Sequence, residues 1–413
     1  MSFRSHSVSR HPSARARRGV ASLLVLTLLL VEFLDEVLDG VRGAAWPLVR
    51  DDLRLTYTQI GLLISIPPLV GNLVEPVFSI LADVWRRRVF VRVGGVLFAA
   101  SALLVASSRN FFALLAAYVV FNPAAGAFVG LSQAALMDAE PARREQNMAR
   151  WTLFGSLGNF VGPLLVGAAV AFGFGWRWLY AGLAAFSVLV LALVWRLPFP
   201  TPAASEGVRE GLGFAAGVRE AVRALRRREV LRWLVLLRFG EFTSDVLRGF
   251  LALYFVDVAG TSEATAALAV VVWTCAVLPG DVLLIPLLER VRGLSYLRVS
   301  TACVLVLFPA FLLADGLLTK FVLVGLLGLA NAGWYAILKA RLYSELPERS
   351  GTAMTLGNLF GLVGDFLPLA LGAFAQRFGL EAMMWLLLFG PVMLLAGLLT
   401  APSAPSEAGE RRG

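Results

Sequence analysis

A chain of 413 residues that is 58% hydrophobic and 16% charged, with a mean hydropathy of +0.75, holds more apolar side chains than one soluble core absorbs. Its formal charge of +9 would suit a nucleic-acid partner, but the arginines sit in tails and loops between apolar blocks and form no continuous basic face, which excludes that class. The composition is that of an all-α polytopic membrane protein.

A spanning helix needs about 20 apolar residues, and the sequence divides into twelve such blocks, two sets of six. They begin near residues 19, 57, 93, 111, 151 and 178, and then near 230, 264, 299, 321, 351 and 381. A basic tail, 1–18, precedes a first bundle over 19–196. A linker, 197–229, leads to a second bundle over 230–400, and a short tail covers 401–413. The tail with its following apolar run has the outline of a signal peptide, but no small-residue cleavage site follows, so it reads as an uncleaved first helix.

Lys and Arg crowd one side of this topology, as in Arg15, Arg17 and Arg18, the Arg86–Arg88 loop, and Arg226–Arg228. The other side has Arg50, Arg54, Arg109, Arg177, Lys320 and Arg377. That asymmetry places both termini in the cytoplasm of a cell that holds the protein in its inner membrane. The linker's GVREAVRALRRRE reads either as a basic helix lying on the anionic leaflet or as a solvated tether.

The first block contains VEFLDEVLDGVR, with Glu32, Asp35, Glu36, Asp39 and Arg42. On a helix these five fall within an arc of about 120°. Each central charge facing lipid would cost roughly 2.5 to 3.5 kcal/mol, so the stripe must face a cavity or a partner. The seventh block repeats it as LRFGEFTSDVLR, with Arg238, Glu241, Asp245 and Arg248. Sliding the chain by 206 residues pairs Asp35 with Glu241, Asp39 with Asp245, Arg42 with Arg248, Asp51 with Asp257, Glu75 with Asp281 and Arg86 with Arg292. Charge coincidences inside spans are rare, so the chain is a tandem duplication.

Further polar residues inside spans are Glu75, Asn122, Gln133, Asp281 and Asp365, which are secondary cavity candidates. Lys339 and Arg341 lie near a span end, where snorkelling is an easy alternative. Cys275 and Cys303 fall in spans and point to no disulfide framework, and the sole histidines, His6 and His11, are in the tail. No metal or cofactor motif, Walker sequence or G-x-S-x-G occurs, so an enzyme is not expected.

Between the second and third blocks SILADVWRRR resembles the G-x-L-A-D-R-x-G-R-K signature of the major facilitator superfamily, with Asp83, Arg87 and Arg88 matching. WPLVRDDLRLTYTQIG resembles that family's first outer loop. In the fifth block GNFVGPLLVG resembles the drug:proton antiporter signature through Gly158, Gly162, Pro163 and Gly167, although Val166 replaces one glycine. In the fourth block Asn122 stands where such antiporters carry an arginine.

The resemblance implies the major facilitator fold, two pseudo-symmetric six-helix bundles that rock about a central site. It further implies a cytoplasmic gating role for Asp83, Arg87 and Arg88, a helix-bending role for the Gly/Pro set, and a monomer. Fosmidomycin-resistance-like exporters are the expected relatives. The function expected is alternating-access export of a small organic solute coupled to protons, with Asp35, Asp39, Glu241 and Asp245 foremost and Glu32 next. Proton-coupled uptake of a nutrient is the alternative, and a non-transport receptor or enzyme a remote one. Substrate, protons and the lipid bilayer are the partners implied.

Overall fold

The computed structural model describes residues 14–84, 87–139, 144–196, 223, 226–345, 361–362 and 364–400. Among these residues the chain is helical, with α1 Ala14–Ala44, α2 Trp46–Leu53, α3 Tyr57–Val84, α4 Arg87–Ser107, α5 Phe111–Ala125, α6 Leu131–Ala139, α7 Arg144–Ala171 and α8 Trp176–Arg196 in the first half. The second half holds α9 Arg228–Asp257, α10 Glu263–Arg290, α11 Gly293–Leu313, α12 Leu317–Asn331, α13 Trp334–Ser344, α14 Leu367–Phe378, α15 Leu380–Leu386 and α16 Phe389–Leu399. Residues 1–13, the C-terminal tail and most of the linker lie outside the described residues, as does the region near 351 where the eleventh block is expected to begin.

Nine helical stretches among the described residues are long and apolar enough to cross a membrane. α1 and α9 are also long, at 31 and 30 residues, but their charged stripes keep them out of that set. Helix starts differ from the hydropathy reading where the basic side is involved. α4, α7 and α11 begin at Arg87, Arg144 and Gly293, about two turns earlier than expected, because the helix continues through arginine-bearing residues that a hydropathy window rejects.

Short polar signals set the opposite ends. The Asn110 side chain accepts from the Ala113 N–H at 2.9 Å and Ser262 accepts from the Thr265 N–H at 3.3 Å, capping α5 and α10. α2 opens on Pro47 and stops at Arg54, whose φ of 51° is left-handed.

The duplication appears in three dimensions. Arg92 of α4 donates to the Trp195 carbonyl at the end of α8, and its repeat mate Arg298 of α11 donates to the Leu398 carbonyl at the end of α16, each at 2.8 Å. The halves meet along two images of one contact, α3 on α14 and α7 on α10, while α1 faces α9 between them. Gly372 approaches the Gly61 Cα to 3.2 Å across the first contact. Gly167 approaches the Ala267 Cβ to 3.9 Å across the second. Each distance is measured from the point where a Cβ would stand on the first-named glycine.

Candidate functional site

α7 lies parallel to α1 and supplies a ladder of partners for it. A Cβ at Gly162 would stand 2.6 Å from the Val37 carbonyl oxygen and 2.7 Å from the Val41 nitrogen, so the helices touch backbone to backbone there. Pro163 packs on Gly40 at the same level. Gly155, two turns earlier, leaves room for Glu32, whose Oε1 lies 2.7 Å from the missing Cβ position. Glu32 is 8% exposed and its hydrogen-bond partner is the Trp151 side chain. Glu36 accepts from Asn159. Trp151, Gly155 and Asn159 recur every four residues, so one face of α7 meets Glu32 and Glu36.

Further along the stripe, Asp39 is paired with Arg42 and stands 3.9 Å from Arg248 of the opposite half. Arg248 is also 3.9 Å from Asp245, so it is shared evenly between the halves. The Arg42 guanidinium lies 6.0 Å from the Tyr118 ring, and the Tyr118 hydroxyl is 2.9 Å from that of Tyr180 in the buried first half. Within α9, Arg238 pairs with Glu241 at 2.8 Å. Asn72 of α3 donates to Asp365 at 2.9 Å from the other half. Arg248 therefore brings the two stripes together at Asp39, with the charges divided unevenly. Asp39 holds two arginines, whereas no ion pair reaches Glu32, Asp35 or Glu36 among the described residues.

The secondary candidates separate. Glu75 and Asn122 lie on adjoining turns of α3 and α5, and Asp365 joins through Asn72. Gln133 contacts the Met148 sulfur at 3.8 Å and lies apart from the charged stripes. Lys339 bonds Tyr335 in α13. The Asp281 and Asp83 side chains lie outside the described residues. Arg88 donates to the Trp195 carbonyl at 3.2 Å and Arg87 is buried at the start of α4. Asn159, Trp151, Asn72 and the Tyr118–Tyr180 pair escape a reading built on charge because they are neutral. The four-residue spacing on α7 is the signal that points to the first two.

One end of the interface is shut. Arg50 of α2 pairs with Asp257 at the end of α9, and Tyr57 donates its hydroxyl to the same carboxylate at 2.6 Å. The Tyr57 N–H also donates to Gln376 at 3.0 Å. Burial works against the Arg50 charge, but Asp257 and Asp51 outweigh it and hold the guanidinium above its ordinary value. The Arg50 and Asp257 side chains are less than a fifth exposed, whereas Asp245, further down α9, is 63% exposed. The space between the halves is therefore closed at this latch and open beside Asp245. Beside the latch a cavity of about 600 Å³ is lined by Tyr57, Asp257, Phe378, Glu381 and Trp385.

Residues 28–367 match the Major Facilitator Superfamily. The chain is 23% identical over 390 residues to the Escherichia coli fosmidomycin resistance protein, covering 94% of this chain and 93% of that one. It is 23% identical over 398 residues to the uncharacterized MFS-type transporter YtbD of Bacillus subtilis, covering 94% and 97%. Among solved structures, a bacterial homologue of the lysosomal transporter Spinster in an inward-facing, occupied conformation superposes with a TM-score of 0.75 at 17% identity, covering 94% and 97%. The nucleoside transporter NupG gives 0.70 at 13%, covering 91% and 97%. The D-xylose-proton symporter gives 0.68 at 16%, covering 92% and 96%.

Proposed function

Because the chain belongs to the major facilitator superfamily, we propose that it exports a small organic solute by alternating access, driven by protons entering through the charged stripes. The observation that carries the coupling is the surplus of acid. Nine stripe positions hold six carboxyls and three arginines, and two of those arginines converge on Asp39. Glu32, Asp35 and Glu36 are then the groups available to take protons, while Asp39 exchanges Arg42 and Arg248 as the halves rock. An acid-rich site suits a cationic substrate. A relative named for drug resistance and the Gly158, Gly162 and Pro163 motif of α7, packed against α1, support the outward direction.

The chain acts without catalysing a covalent reaction, as a monomer of twelve spans in the inner membrane with both ends in the cytoplasm. The latch of Arg50, Asp257 and Tyr57 then closes the outer face.

Two measurements test this reading. Proteoliposomes under an imposed pH gradient should accumulate an organic cation such as ethidium, and should stop when the gradient is dissipated. Ethidium flux indifferent to the gradient, without accompanying proton movement, would sink the coupling. Tags placed at each end should both report the cytoplasm in intact cells, and a periplasmic signal from either would overturn the topology.

A further inference from the structure

The fourth and tenth spans are interrupted at corresponding places. α5 gives way to a π turn over Gly126–Gly130 before α6 resumes. α12 stops at Asn331, and Gly333, with φ of +74°, precedes α13. Gly126 and Ala332 are 206 residues apart, the offset of the repeat. π turns, and interruptions at equivalent positions of two repeats, gather at binding sites because they free backbone groups inside the membrane.

The N-terminal interruption is occupied by an acid. A Cβ at Gly126 would stand 2.6 Å from Glu75 Oε1 and 2.7 Å from its Cδ, so the carboxyl lies flat against the glycine. One turn earlier on α3, a Cβ at Gly71 would stand 3.3 Å from the Asn122 Cβ. The second half brings the same elements together: a Cβ at Gly280, the neighbour of Glu75's repeat mate Asp281, would stand 2.6 Å from the Ala332 Cβ.

No cation pairs with Glu75 among the described residues. α1 presents Asp35 to it, an acid, and α5 presents Asn122, whose amide donates to the Tyr118 carbonyl. α4 meets the π turn with Gly94 and Gly95. From the opposite half Asp365 is held by Asn72, one turn before Glu75. A carboxylate so placed has no cation to pair with among the described residues, and a bound proton removes that penalty. The Asn72–Asp365 bond joins this turn of α3 to the other half, so movement between the halves changes the hydration of the seat.

We propose that Glu75, seated on the interruption of the fourth span, is a proton-binding group, and that its release from Gly126 exchanges a coupling proton. The carboxylate gains the proton from water on one side of the membrane and loses it to water on the other, with no other bond made or broken. The binding part stands by itself, and the coupling part rests on the proton-driven reading above.

Infrared difference titration of the purified full-length protein in lipid, following the carboxylic-acid C=O band, tests it without a substrate. Glu75→Gln should lose one titrating carboxyl, and Glu75→Asp should restore one. Gly126→Ala, which crowds the seat, should move the midpoint by at least about one pH unit, a tenfold change in proton affinity. A band set unchanged in Glu75→Gln overturns the proposal, as does a carboxyl that responds to sodium ions instead of pH.

In proteoliposomes, ethidium accumulation under a pH gradient should fall at least tenfold in Glu75→Gln and partly return in Glu75→Asp. Full accumulation in Glu75→Gln overturns the coupling role. Should the wild-type protein fail to accumulate ethidium, the proton-driven reading fails instead, while the titration still decides Glu75.

Discussion

At the scale of single residues, the acids of α1 differ in what their removal leaves behind. Asp39 is ion-paired to Arg42 and approached by Arg248, so Asp39→Asn leaves Arg42 without its partner carboxylate and Arg248 with Asp245 alone. The loss of a hydrogen bond to a charged group costs about 1.5–3 kcal/mol, and the variant should melt at a lower temperature in a thermal unfolding series in detergent. Glu32 has no arginine and is 8% exposed beside Gly155 and Trp151. Glu32→Gln keeps an acceptor for the indole and strands nothing, so its melting temperature should match the wild type. Equal melting losses in the two variants would show that Asp39 is not the acid that holds the arginines. The stripe itself is visible in the spacing of Glu32, Asp35, Glu36, Asp39 and Arg42. Their division of labour is not, because it depends on Trp151 and Asn159 arriving from a helix more than a hundred residues away.

At the scale of elements, the α1–α7 contact depends on glycine for a geometric reason. Val37 and Val41 backbone atoms lie 2.6 and 2.7 Å from the position of a Gly162 Cβ, distances at which one of the two helices has to move. Gly162→Ala should therefore destabilise the protein by about 1–3 kcal/mol, the usual cost of forcing a methyl group into a packed contact. Gly182 of α8 has nothing within 4 Å of its Cβ position, and Gly182→Ala serves as the neutral control. A melting curve for Gly162→Ala that overlays that of the control would remove the close contact from the account. The motif around Gly158, Gly162 and Pro163 announces close packing on the page of sequence, since small residues four apart let backbones meet. Which helix fills the groove is set by the fold, and so is the fact that Pro368, the repeat mate of Pro163, packs on Gly61 across the halves. The π turn at Gly126–Gly130 is less legible still. Pro123 hints at a disturbed helix there, but only the approach of Glu75 gives the disturbance a purpose.

At the scale of the whole molecule, the 206-residue repeat makes the architecture readable before any coordinate, because mated charges such as Asp39 and Asp245 fix which spans correspond. The conformational state is not readable in that way, since a sequence holds both states at once. The state seen here is set by contacts that join the halves at one end, Arg50 with Asp257 and Tyr57 with Asp257 and Gln376. If the halves rock about the stripes, these contacts have to break in every cycle. Cysteines at Arg50 and Asp257, joined by a short cleavable bis-maleimide after the exposed native Cys275 and Cys303 are changed to serine, should stop transport by holding the end closed. Cleaving the linker should restore it. Asp257→Asn acts in the opposite sense. The pair is about four-fifths shielded from water, so losing it should cost the closed state about 1.5–3 kcal/mol. Since 1.4 kcal/mol is a factor of ten, labelling of a cysteine placed just below the latch should rise at least about tenfold. Transport that continues through the cross-link would mean that this end never opens, and with it would fall the rocking motion that every other role assigned to the stripes depends on.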